Sequence, residues 1–97
     1  MLHIINKSPL SYSSLGSCLR FALKDDNILF YEDGVLGVKA KNKLESVIKE
    51  AMEKYNVYAL QEDLKARGIV DIIDGVKVVD YSGFVELVEE NKVNSWL

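Results

Sequence analysis

The sequence predicts an α/β fold, with a single small domain over residues 1–97 and a mainly parallel four-stranded sheet flanked by helices. Four short runs of mainly apolar residues alternate with segments that have helical periodicity. The apolar runs are nearly continuous, as parallel strands require when helices cover both faces of their sheet. No repeat, low-complexity tract or linker interrupts this order, which is typical of a small α/β domain.

The four apolar runs are the predicted strands. Three of them are rich in β-branched residues, which favour extended structure. The runs are Leu2 to Ile5, Ile28 to Tyr31, Val57 to Leu60 and Val76 to Val79. Because ligands of parallel α/β sheets bind beyond the carboxyl ends of the strands, we expect any ligand site in the polar segments that follow these runs.

Four helices are predicted between and after the strands. The first ends near Lys24 and begins at one of three serines that could each cap it, namely Ser11, Ser13 and Ser14. The second carries an apolar stripe at helical spacing, formed by Leu44, Val47, Ile48, Ala51, Met52 and Tyr55. A short third helix spans Glu62 to Arg67 and stops at Gly68, and the fourth runs from about Ser82 to Asn91.

Composition argues against several classes of function. The net charge is -3 and the cations are scattered among the anions, so the sequence offers no basic surface for a nucleic-acid backbone. A single cysteine forms neither an internal disulfide nor a Cys/His zinc site. No apolar run approaches the roughly 18 residues of a membrane span, and the N-terminus lacks the basic region of a signal peptide. We therefore expect a cytoplasmic protein that binds neither nucleic acid nor membrane directly.

Acidic residues follow three of the predicted strands, and they could bind a divalent cation only if they converged. They are Glu32, Asp33, Glu62, Asp63 and Asp80. Acidic residues are also expected at helix N-termini, where the macrodipole favours negative charge, so capping explains the pattern without a ligand. No glycine-rich phosphate loop follows any strand. The sequence therefore predicts no metal site and no bound cofactor.

The pattern around Cys18, the one cysteine, favours packing over chemistry. Cys18 lies on an apolar helical stripe with Leu15, Leu19 and Ala22. Apolar surroundings raise the pKa of a thiol and suppress the nucleophilic thiolate. Two neighbours keep a chemical role open, because Gly16 would let another group approach the helix and Arg20 could stabilise an anionic sulfur.

His3 is the sole histidine, and it lies inside the first predicted strand between Leu2 and Ile4. Nothing in the sequence identifies a partner that would prepare it for catalysis. We therefore predict a buried, hydrogen-bonded histidine.

Six ordered segments resemble the TusB/DsrH family of sulfur-relay proteins. They are LHIINKSP at residues 2–9, SCL at 17–19, EDGV at 32–35, YALQEDLKARG at 58–68, VDYSGFV at 79–85 and SWL at 95–97. Each motif alone is short, but their order and spacing span nearly the whole chain, and only the segment from Leu36 to Tyr55 matches in character alone. The resemblance implies a DsrE-like α/β fold.

The resemblance also implies partners and a pathway. A TusB/DsrH-type protein is a sulfur-transfer subunit rather than a stand-alone enzyme, and it works with TusC/DsrF-like and TusD/DsrE-like paralogues in a heterohexamer. Persulfide sulfur held by the TusD/DsrE-type subunit passes to a TusE/DsrC-like acceptor and, in the Tus branch, ends in the 2-thiouridine at the wobble position of tRNA. The alternatives are a DsrH-type subunit of dissimilatory sulfur oxidation, a non-catalytic structural subunit, and a homo-oligomeric module that binds a small ligand at Lys7 and Ser8.

Two parts of the chain have alternative roles under this resemblance. Cys18 aligns with a cysteine typical of DsrH-type members, so it is either an auxiliary persulfide carrier or a core residue. The terminal residues Val93, Trp96 and Leu97 would suit an interface with the paralogues, unless Trp96 simply covers the adjacent sheet edge or the fourth helix. If they form an interface, deletion of Trp96 and Leu97 weakens assembly more than it weakens the fold.

Overall fold

A computed structural model describes all 97 residues of the chain. The strands are β1 (Leu2–Ile5), β2 (Asn27–Phe30), β3 (Asn56–Leu60), β4 (Lys77–Val79) and β5 (Val93–Trp96). The helices are α1 (Ser14–Phe21), α2 (Glu45–Ala51), α3 (Gln61–Ala66) and α4 (Tyr81–Glu90), and a 3₁₀-helix spans Glu32–Val38. None of the helices combines the length and the apolar character that crossing a bilayer demands.

All the strands run parallel in one sheet with the spatial order β4-β3-β2-β1-β5. The predicted parallel α/β fold is confirmed, but the predicted count of four strands is wrong because β5 adds a fifth. This strand pairs with β1, from Leu2 opposite Val93 to Ile5 opposite Trp96. As an edge strand it alternates exposed and half-buried residues and has two polar residues in its middle, so its sequence lacks the apolar run that marks a central strand.

The helices differ from the predictions mainly at their ends. Ser13 is the N-cap residue of α1, but its side chain makes no capping hydrogen bond, so the predicted serine cap is not formed. α2 ends at Ala51, short of the predicted stripe, and a turn follows it from which Tyr55 still packs against the core. Gly68 and Gly75 both have positive φ angles, of 65° and 98°, as expected for the end of α3 and the turn before β4.

The two faces of the sheet are covered unequally. On the first, which we call the main face, side chains of the central strands join those of α1, α2, α3 and the 3₁₀-helix in a core of 14 buried residues. Alternate strand residues point to the opposite face, which α4 covers and which we call the α4 face; they include Leu2, Leu29 and Leu60, all buried. α4 adds no residue to the core of the main face and has no fully buried residue of its own.

The 3₁₀-helix packs closely against β1 and the loop that follows it. A Cβ atom on Gly34 would overlap the carbonyl oxygen of Ile5, and one on Gly37 would lie 2.6 Å from Cγ of Pro9. The Gly34 amide donates a hydrogen bond to the carbonyl oxygen of Asn6 at 3.1 Å. Glycine is therefore required at both positions, and it fixes the 3₁₀-helix beside the carboxyl ends of β1 and β2.

Candidate functional site

Cys18 lies in the middle of α1, and its side chain belongs to the core of the main face. Its exposed fraction is 0%, and Leu15, one turn earlier on the same helix, is also buried in that core. The thiol is the one free cysteine of the chain. The helical spacing of the sequence thus predicted the correct side of α1 for this residue.

The surroundings of Cys18 suppress its ionisation. Burial, followed by the negative charge of Asp26, raises the pKa of the Cys18 thiol to about 12. Because the thiolate is the nucleophilic form, only a very small fraction of the thiol is reactive at neutral pH. Arg20 donates a hydrogen bond to Oγ of Ser17 at 3.3 Å, and the nearest atom to a Cβ on Gly16 would be Nη1 of Arg20 at 3.7 Å. Within the chain, neither neighbour prepares Cys18 for sulfur chemistry.

His3 is fully buried and has a polar partner at each ring nitrogen. The indole N–H of Trp96 donates to Nδ1 of His3 at 3.1 Å, and Nε2 lies 2.9 Å from the carboxylate of Asp26. Since an indole nitrogen can only donate, Nδ1 accepts, and the proton of the neutral ring lies on Nε2 and is donated to Asp26. The prediction of a buried, hydrogen-bonded histidine is confirmed.

Asp26 connects the His3 ring to the backbone after α1. Its carboxylate accepts hydrogen bonds from His3, from the Leu23 amide at 3.0 Å and from the terminal amino group of Met1 at 3.2 Å. Burial acts to raise the pKa of Asp26, but these hydrogen bonds and the charge of the amino group outweigh it and lower the pKa below its usual value. The carboxylate is therefore ionised at neutral pH and holds the start of β1 against the turn that leads into β2.

Trp96 and Leu97 differ in their contacts with the rest of the chain. The Trp96 ring lies on the main face, with centroid distances of 5.8 Å to Phe21 and 6.2 Å to His3. Leu97 is 78% exposed, and Phe21 is 57% exposed. Phe21 and Trp96 therefore form an apolar pair of rings at the β5 edge of the sheet, and the exposed Leu97 follows Trp96 in the chain; we call these three residues the terminal patch. Trp96 covers part of the sheet and also borders this exposed surface.

A cleft of about 590 Å³ opens beside the carboxyl ends of β1 and β2. Its lining includes Lys7 and Ser8 from the loop after β1, and Arg67 from the end of α3. Arg67 is paired with Asp33 at 2.8 Å, whereas the Lys7 ammonium lies 4.8 Å from the ring centre of Tyr12 and makes no ion pair. The polar segment after the first strand thus borders a cleft where folds of this class bind ligands.

Two of the five carboxylates singled out from the sequence lie at the start of α4. Asp80 caps this helix by accepting a hydrogen bond from the Gly83 amide at 2.9 Å. Glu62 accepts one from the Tyr81 amide at 3.3 Å. The interpretation of these acidic residues as partners of a helix N-terminus is confirmed.

Of the other three carboxylates, those of Asp33 and Asp63 hold the 3₁₀-helix against the end of α3, whereas that of Glu32 accepts a hydrogen bond from Asn6 at 3.4 Å. Asp63 accepts a hydrogen bond from the Glu32 amide at 2.6 Å, and Asp33 accepts from Nε and Nη2 of Arg67 at 3.0 and 2.8 Å. No group of three or more His, Cys, Asp or Glu side chains is arranged to hold a metal ion. These residues join two elements near the cleft instead of forming a ligand set.

Known proteins similar to this chain cover nearly its whole length. Residues 7–94 match the family model described as DsrH like protein. The chain belongs to the DsrH-like family. Protein TusB of Serratia proteamaculans is 34% identical over 99% of this chain and 100% of its own length. Protein TusB of Escherichia coli K12 is 35% identical over 90% of each chain. The resemblance to the TusB/DsrH family is thereby confirmed.

Two solved structures share the fold of this DsrH-like chain. The ychN protein of E. coli matches it with a TM-score of 0.79 and 19% identity over 97% of each chain. A protein of unknown function from Methanobacterium thermoautotrophicum matches with a TM-score of 0.75 and 19% identity, over 97% of this chain and 95% of the other. At 19% identity these two matches concern the fold alone. The shared fold confirms the predicted DsrE-like architecture.

Two contacts of this DsrH-like chain lay beyond sequence reasoning. The hydrogen bond from Trp96 to His3 joins positions 93 residues apart, and the pair of Arg67 with Asp33 joins positions 34 apart. Neither has a local signature. A signal did exist for the close packing of the 3₁₀-helix, because Gly34 and Gly37 interrupt an otherwise apolar segment where only a close backbone approach explains them.

Proposed function

We propose that this DsrH-like chain is a cytoplasmic subunit of a TusBCD/DsrEFH-type sulfur-relay complex. Membership of the family supports a place in the relay, and the similarity to TusB proteins over nearly their full length supports the branch that leads to 2-thiolation of the tRNA wobble uridine. The proposed partners are TusC/DsrF-like and TusD/DsrE-like paralogues, with a TusE/DsrC-like protein as the sulfur acceptor.

The burial of Cys18 is the observation that carries the proposed role of this chain inside the complex. A sulfur carrier must present a thiolate to a donor and then a persulfide to an acceptor. A side chain that is 0% exposed, with a pKa of about 12, does neither while α1 stays packed. We therefore propose that Cys18 packs the core, that this chain is a non-catalytic subunit, and that the TusD/DsrE-like partner carries the sulfur.

Intact mass spectrometry after exposure to a persulfide donor tests this role. Wild type and Cys18→Ser are measured alone and in complex with the two paralogues. We expect neither form of this chain to gain sulfur, while the TusD/DsrE-like subunit of the same sample does. A gain of one sulfur atom by the wild type and not by the variant would make Cys18 a carrier.

The branch of the pathway is tested in the source cell. Deletion of the gene should remove 2-thiouridine from the tRNAs that carry it, measured by mass spectrometry of digested tRNA. Restoration of the modified base by Cys18→Ser to the wild-type level would agree with a structural subunit. Unchanged 2-thiouridine in the deletion strain would instead favour the alternative in sulfur oxidation.

The terminal patch is the proposed contact with one paralogue, through Leu97 and the exposed part of Trp96. Leu97→Asp should weaken the complex at least about tenfold, because a buried charge would replace an apolar contact, while the melting temperature of the isolated chain should not change. Val70→Asp is the matched control, since Val70 is 90% exposed and lies in the loop before β4. Equal assembly of the two variants would contradict this contact.

A further inference from the structure

α4 is the helix whose apolar surface is least covered within the chain. Its Phe84 ring stacks on Tyr31 with a centroid distance of 6.0 Å, and yet no residue of the helix is fully buried. Tyr81, Val85 and Val88 are 63%, 36% and 39% exposed. At 100° per residue these three side chains fall within a sector of about 60°, so they form one exposed apolar stripe, which we call the α4 stripe.

The charges of α4 are all of one sign. Glu86, Glu89 and Glu90 occupy its second half, and the helix contains no lysine or arginine. None of these glutamates takes part in the four ion pairs of the chain. Negative charge is unfavourable near a helix C-terminus, where the macrodipole is also negative. A cationic surface placed beside these glutamates would supply the ion-pair partners that they lack and would offset the unfavourable interaction of their charges with the helix dipole.

We propose that the α4 stripe and its glutamates form a docking surface for a protein whose apposed face has apolar side chains bordered by lysine and arginine. The inference rests on the proposed function, because it assigns the α4 face to one subunit of the complex. Within the terminal patch, the rings of Phe21 and Trp96 lie on the opposite side of the sheet from α4, since Trp96 is on the main face, so we assign the two surfaces to different partners.

Electrostatics distinguish this occupant from the others that an apolar helix face can take. In a symmetric pair of this chain, both α4 helices would bring only acidic residues into the interface, with no lysine or arginine of α4 to pair with them, and like charges in an interface oppose association. The same charges repel a nucleic-acid backbone or an anionic lipid surface. A protein partner with basic residues around an apolar centre complements both the stripe and the glutamates.

The apolar part of the proposal is tested with Val85→Arg in the complex with the TusC/DsrF-like and TusD/DsrE-like paralogues. Its control is Val47→Arg on α2, because Val47 has a similar exposure of 38% and lies on the other side of the sheet. Both are exposed helical positions that accept arginine, so both variants should fold. Val85→Arg should raise the dissociation constant at least about tenfold, and Val47→Arg should change it less than about twofold.

The charge part is tested with the double variant Glu86→Gln/Glu89→Gln. We expect association to weaken about threefold or more and to become less sensitive to salt. The melting temperature of the isolated chain should stay the same or rise, because the lost charges are unfavourable at that end of α4. A lower melting temperature together with unchanged association would mean that the glutamates serve the fold alone and would overturn the charge assignment.

Three further outcomes distinguish a failure of this inference from a failure of the proposed function. If the wild type binds the paralogues and Val85→Arg binds them equally well, the α4 surface is not the docking site although the complex is real. If sedimentation shows a homodimer that Val85→Arg dissociates, the occupant is a second copy and the inference is wrong. If the wild type binds neither paralogue, the proposed function fails and the inference fails with it.

Discussion

The two faces of the sheet receive side chains from the same strands, but helices cover them to very different extents. The main face is closed by three α-helices and the 3₁₀-helix over a core of 14 buried residues. The α4 face has a single helix with no fully buried residue. A small domain buries a limited share of its apolar surface, and in this chain the buried core is concentrated on the main face, while the α4 face keeps the exposed apolar stripe that we propose for a partner.

The largest difference between the faces should appear when a phenylalanine is truncated on each. Phe30→Ala removes a fully buried ring from the main face and should lower the free energy of unfolding by about 3–5 kcal/mol. Phe84→Ala removes a half-buried ring from α4 and should cost about 1–2 kcal/mol, because part of that surface is already in water. Urea unfolding of both variants measures the two losses of unfolding free energy, and equal losses would contradict the difference between the faces.

Asp26→Asn should have the next largest effect and lower the free energy of unfolding by about 2–3 kcal/mol at pH 7. The substitution removes the negative charge from the hydrogen bond between Asp26 and the His3 ring, which is buried on the main face. The pKa of Asp26 is lowered from 3.8 in the folded protein, so the contribution of the carboxylate is complete above the unfolded value. It is lost as the pH falls through the folded pKa. The stability gap between wild type and variant should therefore narrow below about pH 4, and a gap independent of pH would contradict the network.

Trp96→Phe should lower the free energy of unfolding by about 1–2 kcal/mol, since it leaves Nδ1 of the buried His3 without its donor. The neighbouring substitution Leu97→Asp should leave stability unchanged within about 0.5 kcal/mol, as expected for an exposed residue. Comparison of the two variants shows whether β5 stabilises the main face mainly through Trp96. A Trp96→Phe variant as stable as the wild type would show that the hydrogen bond contributes nothing.

Gly16→Ala should have the smallest effect on the free energy of unfolding, and it should raise that free energy where the preceding substitutions lower it. A Cβ at this position meets nothing nearer than 3.7 Å, so alanine should stabilise α1 by up to about 1 kcal/mol. Thermal unfolding followed by circular dichroism is sufficient to detect the change. If Gly16→Ala also weakened the complex with the paralogues, a partner would approach α1 closely, and the main face would carry a contact besides the terminal patch.

Local patterns in the sequence predicted much of this structure. The central strands and the core side of α1 follow from apolar runs and helical spacing, which operate over a few residues. β5 did not follow, because what makes Val93–Trp96 a strand is its pairing with β1 at the far end of the chain. The position of Cys18 was readable from spacing, but its reactivity was not, because that depends on burial and on Asp26, a charge on a different segment.

The position of β1 in the sheet also has a consequence for biosynthesis. β1 is translated first, and yet one of its two neighbours, β5, is translated last, with the Trp96 to His3 hydrogen bond spanning 93 residues. On the ribosome, β1 can pair with β2 early, while its other edge stays unpaired until β5 has left the exit tunnel. Contacts of such high sequence separation form slowly, so this edge of β1 is open to wrong pairing in the nascent chain until β5 covers it.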